Sequence, residues 1–131
     1  MLDGKKVIAT GDWTFVVEPQ FEVLDNGDSV QAVNGHRIVY VSSLRVGGAA
    51  APVRAAQLRV TAATGFVGLG ERFAHVTDSV QGDAEVFLDG DIWRLRGTMC
   101  ADGTVATCVI DFLYPDEQTW AVSVWKSLAC A

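Results

Sequence analysis

Histidine is almost missing from this chain: only His36 and His75 occur in 131 residues, and neither has a second metal-ligating side chain at helical or strand spacing. A protein metal centre needs several such ligands converging on one point, so no metal is expected, and no other cofactor motif appears. Cysteine is sparse too. Cys100, Cys108 and Cys130 are an odd number, too few for a disulfide framework and without C-x-x-C spacing, so they read as reduced structural thiols. No uninterrupted apolar run approaches the ~20 residues that span a bilayer, and no apolar stretch follows the basic pair Lys5-Lys6. The expectation is therefore no membrane span and a cytoplasmic location, although an export signal removed from the chain would leave no trace in it. Basic residues are outnumbered, ten Lys and Arg against sixteen Asp and Glu, for a formal charge of −6. Such a field repels a phosphate backbone, which argues against nucleic acid, and favours a basic protein partner.

Nothing marks a reaction centre. Ser42-Ser43 and Cys100 are nucleophiles by residue type alone, with no Gly-x-Ser-x-Gly turn to raise one of them. Asp25-Asn26-Gly27-Asp28 and Asp89-Gly90-Asp91 gather carboxylates at turns without the terminal glutamate of a calcium loop. The run from Gly65 to Gly70 has the wrong glycine spacing for a dinucleotide or phosphate loop and reads as a flexible helix exit. Whether the chain is an enzyme stays open, with the balance against it.

What the sequence does hold is turn chemistry at short intervals. Gly11-Asp12, Asn26-Gly27, Asn34-Gly35, Asp89-Gly90 and Asp102-Gly103 are hairpin dipeptides. Between them lie runs rich in Val, Ile, Phe, Thr and Trp: Lys6 to Ala9, Trp13 to Glu18, Phe21 to Leu24, Ser29 to Val33 and Arg37 to Val46. Half the residues are apolar, and residues 1–131 read as one domain with one core. The alanine-rich segment after Gly47 predicts a helix opened by Pro52 and closed by Gly65, with Val53, Ala56, Val60 and Ala63 on its stripe. A second helix is expected after Pro115, with Asp116 and Glu117 at its positive end and Ala121, Val124, Trp125 and Leu128 on one face. Its rival is a strand, since Trp120, Val122 and Val124 also alternate.

Taking Asp89-Gly90 and Asp102-Gly103 as two-residue loops sets three strands in register. Phe87 then faces Ile92, Val86 faces Trp93, Glu85 faces Arg94 and Asp83 faces Arg96, while Met99 faces Ala106, Gly97 faces Cys108 and Arg94 faces Asp111. One face carries Val86, Trp93, Leu95, Met99, Ala106, Cys108, Ile110 and Phe112. The other carries Asp83, Glu85, Arg94, Arg96, Thr98, Thr107 and Asp111. Cys100 and Cys108 fall on opposite faces, which forbids a disulfide between them. A row Glu85, Arg94, Asp111 would run across three strands as a charge ladder. Such ladders ordinarily do no more than solvate a sheet; the functional alternative is that this polar face docks a partner. Four tryptophans, at 13, 93, 120 and 125, exceed what a small core needs. Trp93 belongs to the core by register. Trp120 and Trp125 cannot share one narrow helical stripe, so one is expected to stay partly exposed.

The order of early strand pairs, helix, meander and a closing segment ending Trp125-Lys126-Ser127-Leu128 resembles the PsbP-like fold, whose closing helix commonly ends in an apolar-x-Ser-apolar pattern. That resemblance implies an antiparallel sheet packed against helices. Families similar in this way include photosystem accessory subunits, nuclear-transport factors, lipoproteins and chaperones of secreted bacterial toxins, which implies binding without catalysis. It carries no functional residue onto a numbered position here.

The expectation is thus an α+β fold, a twisted antiparallel sheet of roughly six to eight strands packed against one or two helices, with an all-β barrel or sandwich as the alternative. The expected function is a non-enzymatic protein-binding module, an immunity protein or chaperone for a basic toxin or effector, with Asp83, Glu85, Arg94, Arg96, Asp111 and Trp120 as binding residues. The alternative is a small-ligand carrier or small enzyme with a pocket between sheet and helix, walled by Trp and Phe.

Overall fold

The computed structural model describes residues 4–9, 11–48, 51–66, 68 and 70–131. Parts of the predicted features lie outside these: Ala49 and Ala50 before the first helix, and Val67 and Leu69 in its glycine-rich exit. The strands are β1 Lys5–Ile8, β2 Trp13–Val17, β3 Glu22–Asp25, β4 Ser29–Asn34, β5 Arg37–Arg45, β6 Gly47–Gly48 and β7 Ala51–Pro52. Helix α1, Ala55–Ala63, leads to β8 Glu71–Val76, β9 Gln81–Asp89, β10 Ile92–Ala101 and β11 Thr104–Phe112. A 3₁₀ turn, Pro115–Glu117, runs into α2, Gln118–Lys126, and β12, Ala129–Cys130, ends the chain.

Seven strands form the main antiparallel sheet in the order β3-β4-β5-β11-β10-β9-β8, while β1, β2 and β12 form a second, three-stranded sheet. Two helices rule out the all-β alternative, and the α+β architecture holds. The main core fills the space between the inner face of the large sheet, the small sheet and α2, with Trp13, Phe15, Phe112, Leu95, Met99 and Trp125 fully buried there. Every buried residue expected on α2, Ala121, Val124, Trp125 and Leu128, is inside. The closing Ser127 ties helix to sheet: its Oγ accepts the Val16 N–H at 2.9 Å and donates to the Val124 carbonyl.

Three hairpins depart from the expected loop placement for one reason. Gly27, Gly35 and Gly90 have φ of +88°, +59° and +63°, and each is the first loop residue, followed by Asp28, His36 and Asp91. A glycine in the first position is the type II′ arrangement, whereas the sequence reading put it second. In the β9–β10 hairpin the pairs are therefore Asp89 with Ile92, Phe87 with Arg94, Glu85 with Arg96 and Asp83 with Thr98. The ladder Glu85–Arg94–Asp111 is corrected accordingly: Arg94 still faces Asp111, and Glu85 faces Arg96. A shift of two keeps every side chain on its predicted face. At Asp102-Gly103 the glycine is the second residue and the register is as expected, Met99 with Ala106 and Gly97 with Cys108.

Helix α1 also differs from expectation. Pro52 sits in β7, and the helix begins three residues later, because its cap comes from elsewhere: Asp102 Oδ1, on the β10–β11 turn, accepts the Ala55 N–H at 2.9 Å. This satisfies one of the orphan donors of the first turn. The expected stripe turns outward at its centre, while Val53, ahead of the helix, packs inward. Val60 is 70% exposed and Ala56 is exposed, while Ala55 and Leu58 are buried against Cys100. Alanines surround this helix, so its one leucine sets the rotation. Replacing Asp102 by alanine should cost about 1 kcal/mol, read from the urea midpoint, and should speed amide exchange in the first turn of α1 while leaving α2 unchanged.

Candidate functional site

The outer face of the large sheet carries most of the predicted binding residues, but α1 rearranges their roles. The helix runs along β9 and β10 and touches the Val105 end of β11. Arg59 reaches from α1 to Asp83 with two hydrogen bonds of 2.9 Å, leaving Asp83 8% exposed. Glu85 is fully buried, with Arg72 and Arg96 as its cross-strand neighbours. Arg94 donates to both carboxylate oxygens of Asp111, at 2.8 and 3.2 Å, and to Asp89 at 2.8 Å. The five residues Asp83, Glu85, Arg94, Arg96 and Asp111 do share one face, as expected. Each carboxylate there has an arginine beside it, so this face carries no concentrated negative charge.

Trp120 lies elsewhere. Its ring stacks on Phe21 at 5.8 Å between centroids, its Nε1 donates to Glu18 at 3.1 Å, and the Arg37 guanidinium lies 4.6 Å over it. Trp125 is fully buried while Trp120 is only partly so. Beside Trp120, the buried Glu117 carboxylate accepts hydrogen bonds from His36 Nε2, Arg37 Nε and the Tyr114 N–H. This joins the β4–β5 turn to the start of α2 and back-bonds the chain in the manner of a capping box. Burial alone would push the Glu117 pKa up; the Arg37, His36 and Tyr114 donors outweigh it and hold it near about 2.

The half of the outer face that α1 leaves open holds a group of apolar side chains, set among Glu22, Ser29, Gln31 and Ser42, which the sequence reading missed. Leu24 on β3, Val33 on β4, Ile38, Tyr40 and Leu44 on β5 and Val109 on β11 all point outward, by the same alternation that sends Val39, Val41, Cys108 and Ile110 into the core. Leu24, Tyr40 and Leu44 are 47%, 40% and 67% exposed. Val33, Ile38 and Val109 are partly covered by their neighbours and pack against neither core. A signal existed: Ile38-Val39-Tyr40-Val41 is a continuous apolar run, the mark of a strand with apolar contacts on both faces.

Between this strip and α1 runs a groove of about 570 Å³. Leu44, Val46, Val53, Leu58, Ala62 and Val105 form its apolar walls, and Gln57, Thr61, Arg96, Thr98 and Thr107 supply polar groups. No tryptophan or phenylalanine lines it; the aromatic walls expected of a sheet–helix pocket are replaced by aliphatic ones, because the tryptophans lie on the inner side or its rim. Thr98 and Thr107 on its floor begin a hydroxyl row that continues beyond the groove through Ser42 and Ser29, on four successive strands leading from Asp83.

Other chemistry finds little support in the geometry. Among the described residues no group of three or more His, Cys, Asp or Glu side chains is placed to hold a metal, and no helix is long and apolar enough to cross a membrane. Cys100, Cys108 and Cys130 are free thiols. Burial raises the thiol pKa of Cys100 to about 11 and that of Cys108 to about 12, which removes nucleophilic thiolate at neutral pH.

No protein-family model matches the chain, and no curated protein matches its sequence. Among solved structures, the solution structure of cyanobacterial PsbP (CyanoP) from Synechocystis sp. PCC 6803 aligns with 100% of this chain and 94% of its own, with a TM-score of 0.64 and 12% sequence identity. At that identity the likeness is one of fold alone, and the chain has the PsbP-like fold.

Proposed function

We propose that this protein is a non-enzymatic protein-binding module that docks its partner on the uncovered half of the outer sheet face, alongside α1. One observation carries the reading: a cluster of apolar side chains, Leu24, Val33, Ile38, Tyr40, Leu44 and Val109, interspersed with Gln31 and Ser42 and edged by Glu22, on the part of the sheet face that α1 leaves open. Contiguous exposed apolar surface rimmed by polar groups marks interaction sites, whereas single exposed apolar residues mean nothing. The pairing of Asp83 with Arg59 and of Asp111 with Arg94, with Glu85 buried, points to a contact in which the overall acidity of −6 steers rather than binds. An immunity protein and a chaperone for a toxin or effector are both settings for such a face, and a basic partner would gain its charge attraction outside the contact.

The test is retention of a partner from native extract by the wild-type protein and by single variants. Tyr40→Lys should lower retention at least about tenfold, a loss of about 1.4 kcal/mol, with a melting temperature close to wild type because Tyr40 is a surface position. Ile8→Lys, at an exposed site on the small sheet, should retain the partner, and high salt should leave wild-type retention in place. Retention by Tyr40→Lys, or complete release by salt, would contradict the reading; the second result would return the contact to acidic surface and a basic partner.

A second reading rests on the groove itself. Its volume of about 570 Å³ is in the range of small-molecule sites, and its polar groups converge from one side. In that case Leu58→Trp, which fills the groove from α1, should abolish binding, while Tyr40→Lys, outside it, should not.

A further inference from the structure

We infer that β8 is a self-pairing edge: two copies of this chain join antiparallel along β8, centred on Phe73, and their large sheets become one. This edge lies apart from the outer face and the groove, and the contact does not depend on the protein-binding reading.

The ladder groups of β8 are only half used. The strand pairs with β9 alone and forms one edge of the large sheet. Across the turn that joins the two strands, the Thr77 N–H donates to the Val80 carbonyl at 2.8 Å. Bonded and non-bonded pairs alternate along an antiparallel ladder, so Phe73 and His75 bond β9 while Arg72, Ala74 and Val76 turn their N–H and C=O outward. Among the described residues no hydrogen bond reaches those outward groups, and all three residues are exposed. Such an edge is a template for another strand.

Charge selects the strand. Like charges along an edge repel a second copy of it: β3 holds Glu22 and Asp25 with no base, and β1 holds Lys5 and Lys6 with no acid. β8, Glu71-Arg72-Phe73-Ala74-His75-Val76, holds both signs. Only residues with outward groups can form bonded pairs, which sets even-numbered positions against one another. Centring on Phe73 does this, with Arg72 opposite Ala74 of the second copy, Phe73 opposite its own counterpart and Glu71 opposite His75. Helix α2 runs along the same edge, for Gln118 donates to Glu71 at 3.3 Å and the Trp125 ring meets His75 at 6.1 Å. Lys126 therefore stands toward the His75 end, where it lines with Phe73 and Val122 a hollow of about 470 Å³. Glu71 of the second copy arrives at that end, and among the described residues neither Glu71 nor Lys126 has an ion-pair partner. The neighbouring charges do not oppose this. Arg72 lies on the other face over Phe66, Asp78 lines a separate hollow with Arg54 and Asp102, and Asp116 precedes α2 at its Gln118 end.

The contact is short against the ~1,600 Å² of a standard interface, so half-dimerisation is expected near ~0.1 mM. Sedimentation velocity of the full chain from ~10 μM to ~1 mM, in ~0.15 M salt that screens net charge beyond ~8 Å, should show monomer passing to dimer. Amide exchange by NMR should slow at Arg72 and Ala74 as concentration rises, with Phe73 and His75, already bonded to β9, unchanged. Ala74→Pro removes an N–H that bonds nothing within the chain, a place where an edge strand accepts proline, and should weaken the dimer at least about tenfold. Glu71→Lys should weaken it as well and Lys126→Glu in the same chain should restore it, which serves if Ala74→Pro folds poorly. A chain that stays monomeric to ~1 mM would overturn the inference and leave the edge to a strand of another protein. A dimer indifferent to Ala74→Pro and Glu71→Lys, or exchange that slows instead at Tyr40 and Val109, would overturn it by placing the contact elsewhere.

Discussion

Trp125→Ala should destabilise the protein by about 3–5 kcal/mol and lower the urea midpoint accordingly, which for a domain of this size places it close to unfolding at body temperature. Trp125 is completely buried. It fits where it does because position 97 is glycine: a Cβ there would come within 2.6 Å of the indole ring. The indole N–H donates to the Thr98 carbonyl at 3.1 Å, and His75 meets the ring edge to face at 6.1 Å. Alanine would leave a large cavity in a close-packed interior that relaxes only partly. The effect reaches function through the sheet, because α2 braces from the inner side the same β10 and β11 whose outer residues floor the groove. A loss below about 1 kcal/mol would mean that α2 does not seat on β10 as described.

Glu117→Gln should cost about 2–3 kcal/mol at neutral pH and should change how stability depends on acid. The Glu117 carboxyl is held from an ordinary 4.5 down to about 2. A depressed carboxylate contributes stability that is complete above its unfolded value and disappears as pH falls through its folded value, so the window here is from about 4.5 down to about 2. Its full worth is bounded by the shift at about 3 kcal/mol, and the partial exposure of His36 and Arg37 lowers it. Urea midpoints across that window should fall more steeply for the wild type than for Glu117→Gln. Parallel curves would mean that the carboxyl is not held by His36 and Arg37 in solution. The substitution also frees the β4–β5 turn from α2, and therefore loosens the end of β5 that carries Ile38 and Tyr40.

Local chemistry was legible in the sequence, and long-range chemistry was not. The strands between turn dipeptides, the two faces of the C-terminal meander and the buried stripe of α2 follow from period and turn residues within a few positions of each other. The choice between Asp-Gly and Gly-Asp as the loop of the β9–β10 hairpin depends on strand twist, so that register is displaced by two residues while every face stays right. The orientation of α1 was hidden because alanines give it no preferred side, and its cap comes from Asp102, 47 residues from Ala55. The Glu117 cluster joins positions 81 residues apart in sequence. The apolar strip was half visible: Ile38, Tyr40 and Leu44 alternate with core residues along β5, but that they stay uncovered depends on α1 occupying β9 and β10 instead.

The most direct test of the outer-face account is site-specific photo-crosslinking in native extract, with a photoreactive amino acid placed in turn at Tyr40, Val109 and Ile8. The account predicts one shared protein adduct at positions 40 and 109, absent at 8 and lost from position 40 when Leu44 is changed to lysine in the same chain. A protein adduct formed at Ile8 and at neither outer-face position would contradict it.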